Sequence, residues 1–323
     1  MRVLVTGASG CIGAWTVKRL LDRQVDVICY DIEPDTTRLG LISSHRGSSR
    51  LKLETGRIED TGRVKQIVRD EGVTHILHLA AVLMPFCQAN PVAGAMINVV
   101  GTLNVFEAAR DAGRPVRVVY ASSSAVWGPE EAYGARALSE ADQLLPGTHY
   151  GVFKQSNEGS ARVFYLTDGI SSIGLRPWTV YGVGRDHGLT ADPTLAMKAV
   201  ALGEPFQIRV SGHMDLQYVE DVAETFIRCA LAPVSGAHAF NLAGSIVEMN
   251  EFVALLERLR PGAARLITVG GNSVPVSFRM DATQLHAAVS GIPRTSLEDG
   301  VRLTLERYEA LRREGRLAPP IVP

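Results

Sequence analysis

Hydrophobic positions along the first half of the chain follow two alternating rhythms. Short runs rich in β-branched residues, "RVLVTG", "VDVICYD", "LKLETG", "THILHLAA", "VRVVYASSS" and "ISSIGLRP", read as strands bounded by Gly, Asp, Ser or Pro. Segments near 12–23, 60–71, 92–112 and 150–168 carry a helical period between them. This βα alternation predicts an α/β chain built on a doubly wound parallel sheet of Rossmann type. Ligands of such a sheet bind at the carboxyl ends of its strands.

Beyond residue 177 the pattern becomes irregular. "WTVYGVGRDHGLTADP" reads as a long glycine-bearing loop and "HAFNLAG" as a strand. "YVEDVAETFIRCAL", "VEMNEFVALLERLRPG" and "SLEDGVRLTLERYEALRREG" read as helices. We expect residues 1–177 plus about 210–242 to form the sheet domain, and about 178–209 plus 243–323 to form a smaller C-terminal lobe with a flexible tail, "RLAPPIVP". Residues 93–109, "AGAMINVVGTLNVFEAA", are apolar on nearly every helical face. That predicts burial on all sides, within the monomer or against a second subunit.

Composition narrows the partners. A chain of 323 residues that is 46% hydrophobic can bury a full core. Its net charge of −1 and lack of basic runs argue against nucleic acid or an anionic membrane, which need clustered Lys and Arg. Small molecules become the expected partners. The start "MRVLVTG" enters a strand at once, without the features of a signal peptide, and no apolar stretch is expected to approach the roughly 20 residues of a membrane helix. Cys11, Cys29, Cys87 and Cys229 lack metal-ligand or CxxC spacing, which predicts free thiols, no metal and a cytoplasmic location.

"VLVTGASGCIGAW" places Gly7, Gly10 and Gly13 between a strand and a helix, and Asp31 ends the second strand. Glycines let a backbone approach a pyrophosphate, the helix start offers N–H groups, and the acid accepts from ribose hydroxyls. A carboxylate at Asp31 repels a 2′-phosphate, and "YDIEPDTT" lacks the Arg that NADP would want, so NAD is the expected cofactor.

Only five of the 33 basic residues are lysine, yet Lys154 stands four residues after Tyr150 in "THYGVFKQ". On a helix these positions share a face. A free tyrosine has a pKa of about 10, and a neighbouring cation lowers it, so Tyr150 could trade a proton with a substrate hydroxyl or carbonyl. "YASSSAVWG" ends the fifth strand with a serine cluster that could hold the substrate oxygen, although serines there also serve as plain turn residues.

Together "TGASGCIG", Asp31, "HLAA", "NVVGTLNVFEAA", "SSSAVWG", "YGVFK", "LRPWTVYG" and "YVEDVA" resemble the extended short-chain dehydrogenase/reductase family, in its NAD-dependent epimerase/dehydratase group. The resemblance implies that Ser123, Tyr150 and Lys154 are catalytic. It implies that Gly7, Gly10, Cys11, Ile12 and Gly13, with Asp31 and Ile32, bind NAD. Arg57 and Ile58, Leu79, Ala80 and Ala81, Asn98, Pro177 and Val180 complete that cofactor set, together with Tyr150 and Lys154. It also implies a homodimer through helices near 93–110 and 150–166, and a packing rather than ligand role for His78.

Departures from the family pattern are informative. Ser124 and Ala125 replace the Asp-Glu of the dehydratases, which argues against sugar dehydration. Met214 in "MDLQYVED" stands where nucleotide-sugar enzymes commonly carry a phosphate-binding Arg, with Arg185 or Arg279 as possible substitutes. Two enzymatic readings remain, an NAD-dependent dehydrogenase of a small hydroxylated, sugar-like or sugar-acid-like substrate, and an NAD-dependent sugar or nucleotide-sugar epimerase. A non-catalytic NAD-sensing protein is a third. Met84, Ser123, Ser124, Trp127, Tyr150, Thr179 and Arg185, with His187, are the residues expected to meet the substrate.

Overall fold

The computed structural model describes residues 1–134 and 136–319. Its strands are β1 (Arg2–Thr6), β2 (Asp26–Asp31), β3 (Leu51–Thr55), β4 (His75–His78), β5 (Arg117–Ala121) and β6 (Ser172–Arg176), followed by β7 (Thr179–Tyr181), β8 (Phe206–Ser211), β9 (His213–Tyr218), β10 (Ala237–Asn241), β11 (Ser245–Glu248) and β12 (Ile267–Ser273). Seven of them form one sheet in the order β10-β6-β5-β4-β1-β2-β3. Every neighbouring pair in it is parallel. Strand order reverses between β1 and β4, the point where a doubly wound sheet opens a crevice for a dinucleotide.

The helices are α1 (Cys11–Asp22), α2 (Thr37–Ile42), α3 (Thr61–Asp70), α4 (Met84–Ala89), α5 (Pro91–Ala95) and α6 (Gly101–Arg110). After them come α7 (His149–Asp168), α8 (Asp192–Leu202), α9 (Val219–Leu231), α10 (Met249–Leu259), α11 (Thr283–Ala288) and α12 (Leu297–Arg313). One face of the sheet packs against α1 and α9 through Val3, Val5, Val17, Leu20 and Phe226; the other packs against α3 and α6 through Leu4, Ile76, Val64 and Phe106.

The irregular second half contains more regular structure than its pattern suggests. The expected long loop holds β7 and the start of α8. Three residues are too few to show a strand period, and α8 is buried on nearly every face, so it lacks an amphipathic stripe. β7, β9 and β11 form a three-stranded sheet, and β8 pairs in parallel with β12. The return to the large sheet is made by α9 and β10, whereas β9 stays in the small sheet. Of the tail, Arg316 donates to the Gly40 carbonyl and Leu317 packs on the core; residues 320–323 lie outside the described residues.

The apolar helix of residues 93–109 is interrupted by a π turn over Met96–Val100, and in a single copy of the chain Met96, with Val92 just before it, is exposed. By length and composition Pro91–Arg110 could cross a membrane, contrary to the expectation that no stretch would, but half of it is buried inside the protein as a core helix is.

Candidate functional site

Gly7 sits at φ +69°, and a Cβ there would lie 2.6 Å from the Ala80 nitrogen. A Cβ on Gly13 would lie 2.2 Å from the Gly7 carbonyl oxygen. No side chain larger than hydrogen fits at either place, so the β1–α1 turn and β4 are held in close approach. Gly10 caps α1 with extended backbone and no side chain caps that helix, which leaves its first N–H groups for a ligand. At the end of β2, Asp31 accepts from the Ser9 N–H at 3.0 Å and the Ile32 N–H at 2.8 Å, with lone pairs to spare.

Helix α7 begins at a Thr148 cap whose hydroxyl accepts from the Gly151 N–H at 3.1 Å. A Cβ on Gly151 would come 2.1 Å from the Ala125 carbonyl oxygen, so this glycine lets α7 press on the turn after β5. That contact brings Tyr150 beside Ser123 in one cavity, where the Ser123 hydroxyl favours the ionised phenol. Burial raises the pKa of Tyr150, while the Ser123 hydroxyl and then the Arg185 charge oppose the rise. Lys154 is buried, donates from Nζ to the Ala121 carbonyl at 2.6 Å, and lies 5.6 Å from the Tyr150 ring centroid. Burial lowers its pKa to about 8. The Lys154 ammonium thus stands by the phenol, and the Arg185 charge acts on the same group.

Two cavities meet at this end of the sheet. One, of about 360 Å³, is lined by Gly7, Gly10, Cys11, Ile12 and Gly13, by Ser123, Tyr150 and Lys154, and by Pro177, Val180 and Arg185. The other, of about 370 Å³, is lined by Asp31, Ile32, Arg57, Ile58 and Ala80. They share Gly7, Gly10, Arg38, Leu79 and Ala81, so together they make one channel from Asp31 to Tyr150. A cradle that a Cβ would fill, an uncapped helix start and a terminal carboxylate in that order fit NAD, with the adenosine end at Asp31 and the nicotinamide end at Tyr150.

Other expected site residues lie elsewhere. Asn98 is buried beside the channel, where it exchanges two hydrogen bonds of 2.9 Å with the Val82 backbone and shapes the loop instead of lining the cavity. Trp127 is fully buried under the Arg176 guanidinium, 4.8 Å away, and Thr179 is buried in β7. Ser124 and Met84 line neither cavity, and Met214 is buried in β9. Arg279 pairs with Glu130 at 2.7 Å. The Arg57 side chain turns to Glu59, while its carbonyl accepts from Tyr30 at 2.8 Å. His78 bonds Thr6 at 2.7 Å and Thr102 at 3.0 Å, and burial drops its pKa to about 3, as a packing residue requires.

Sequence reasoning passed over Arg38, Trp178 and Asp186, which line the nicotinamide end. Arg38 stands one residue beyond the stretch searched for an NADP-type arginine. Its guanidinium is committed to the carbonyls of Ser9 and Gly184 and to Asp186.

The chain was compared with known proteins. The NAD dependent epimerase/dehydratase family model matches residues 3–243. The UDP-glucose 4-epimerase of Mycolicibacterium smegmatis is 28% identical over 325 residues, covering 95% of this chain and 98% of that protein. The crystal structure of Thermus thermophilus UDP-glucose 4-epimerase in complex with NAD superposes with a TM-score of 0.79 at 25% identity, covering 95% of this chain and 99% of that one. A GalE-like L-threonine dehydrogenase from Cupriavidus necator superposes at 0.80 with 23% identity over 96% and 99% of the two chains, a likeness of fold alone. The chain belongs to the NAD-dependent epimerase/dehydratase family, within the extended short-chain dehydrogenase/reductases, and is an enzyme that uses NAD.

Proposed function

We propose that this enzyme oxidises a secondary alcohol of a small hydroxylated substrate, sugar-like or sugar-acid-like, with Ser123, Tyr150 and Lys154 as its acid–base group. The observation that carries this reading is that these three side chains and the glycine turn line one cavity of about 360 Å³. When bound, NAD supplies the oxidant by accepting a hydride from the carbon that bears the hydroxyl. Ser123 holds the substrate oxygen, and Tyr150 takes its proton. Lys154 offers its remaining N–H bonds to the nicotinamide ribose. The substrate is small because that cavity, near the low end of the ~300–1,000 Å³ usual for one ligand, must also admit the nicotinamide. Mixing the enzyme with NAD and a panel of sugar acids and polyols should produce NADH absorbance.

A second reading is epimerisation, oxidation and re-reduction at one carbon, and the likeness to epimerases over 95% of the chain favours it. An epimerase would invert a stereocentre with no net NADH.

We also propose a cytoplasmic homodimer. Val92, 78% exposed, and Leu166, 73% exposed, extend an apolar face over α5 and α7 that also carries Met96, Val152 and Val163. A second copy of the same face would cover it.

A further inference from the structure

We propose that Arg185 is the anchor for a carboxylate on the substrate, so that the enzyme acts on a hydroxy acid; this rests on the function proposed above. Arg185 lies in the loop between β7 and α8, closed by its N–H to the Gly182 carbonyl at 3.1 Å. The guanidinium is packed in place: a Cβ on Gly188 would come 3.3 Å from its Nη2. Nη2 donates to the Thr190 hydroxyl at 3.2 Å. Its Nε is buried with no acceptor, and among the described residues no carboxylate pairs with it.

The neighbouring acid acts on it only through space and is paired with another arginine. Asp186 accepts from Arg38 at 3.2 Å, and Arg38 is further fixed by two backbone carbonyls. A guanidinium stays charged even when buried, and a buried charge without a counter-ion is costly. The loop thus holds a guanidinium with no carboxylate in direct contact and an Nε without an acceptor, in the cavity that contains Ser123 and Tyr150 and close enough for its charge to act on the phenol.

An anion of the ligand completes this arrangement. A carboxylate suits it better than a phosphate monoester. It matches the guanidinium fork with one negative charge, whereas a dianion would need a second cation. Of the other cations of the cavity, Arg38 is paired with Asp186, and Lys154 is tied to the Ala121 carbonyl with its remaining N–H bonds assigned to the nicotinamide ribose in the function proposed above. The remaining candidate anion is the pyrophosphate of NAD, and the experiment separates the two.

NAD-loaded enzyme is given matched pairs, each a four- to six-carbon aldonic acid and the alditol of the same stereochemistry, and NADH formation is followed. Acids should be preferred, and Arg185→Met should lower kcat/KM for the acid about 100-fold, mostly through KM, with Arg185→Lys recovering part of it. Turnover of alditols, which loses only the Arg185 charge on the phenol, should fall far less than turnover of acids, so that the acid-over-alditol preference collapses, while the Kd for NAD should move by less than about threefold. Titration calorimetry of NAD-loaded Tyr150→Phe with the same acids should show binding that the double variant with Arg185→Met loses. A rise in the NAD Kd that matches the loss of activity would assign Arg185 to the pyrophosphate and overturn the proposal. So would a preference for alditols, or no acid binding at millimolar concentration. Full turnover by Tyr150→Phe, with acid binding still dependent on Arg185, would sink the proposed chemistry and leave the anchor standing.

Discussion

Nζ of Lys154 lies 5.6 Å from the centroid of the Tyr150 ring and donates at 2.6 Å to the carbonyl of Ala121, the last residue of β5. The lysine is therefore built into the end of the sheet, and it shares one cavity with the phenol and Arg185. Removing the phenolic hydroxyl leaves this frame intact. Tyr150→Phe should lower kcat by on the order of 10³-fold while the NAD Kd, read by fluorescence titration, stays within about threefold.

Ser123 and Arg185 both favour the phenolate of Tyr150, against the effect of burial. Alcohol oxidation needs the deprotonated phenol, so the rate rises with pH through the Tyr150 pKa. Ser123→Ala removes a hydroxyl that favours the phenolate, which lets the phenol hold its proton to higher pH. The rising limb of the kcat profile should move to higher pH, with a loss of activity at neutral pH. An unshifted limb with reduced kcat would instead assign Ser123 to the substrate oxygen alone.

What the sequence made legible was what local spacing encodes. The strands of the large sheet, the glycine turn, Asp31 and the Tyr150–Lys154 pair each depend on residues within one element or one turn. Trp127 and Thr179 were misplaced because neither spacing nor residue type says which side of a turn faces the core. The isolation of Arg185 was invisible for a different reason: it depends on Arg38, far away in the chain, capturing Asp186. The buried helix α8 and the three-residue β7 carry no periodic signal at all.

Glu158 and Arg176 form a buried pair at 2.8 Å, with side chains 10% and 4% exposed. Glu158 also accepts from Ser122 at 2.5 Å, and Arg176 lies over Trp127. The pair ties α7, one turn beyond Lys154, to the strand ends that carry the serines. Glu158→Gln would leave the guanidinium buried without a counter-ion. Denaturant unfolding should show a loss of about 3–5 kcal/mol. A loss under about 1 kcal/mol would mean that water reaches Arg176.

Asp215 in β9 accepts from the Gly244 N–H and the Gln217 side-chain amide, both at 2.8 Å, and burial raises its pKa to about 7 despite those bonds. Its unfolded pKa is near 3.8. Between those values the folded state binds the proton and the unfolded state does not, so stability falls as pH rises through this window and levels off above about 7. From roughly pH 5.5 to pH 8.5 this one group should remove about 2 kcal/mol of unfolding free energy. Asp215→Asn cannot titrate. Its amide can accept from only one of the two donors, so its absolute stability also changes, and the slope against pH is the informative quantity. Urea unfolding at several pH values should give a slope for the wild type that exceeds the slope for Asp215→Asn by that amount. Equal slopes would mean that Asp215 stays ionised in the folded protein, held by its two hydrogen bonds against the effect of burial.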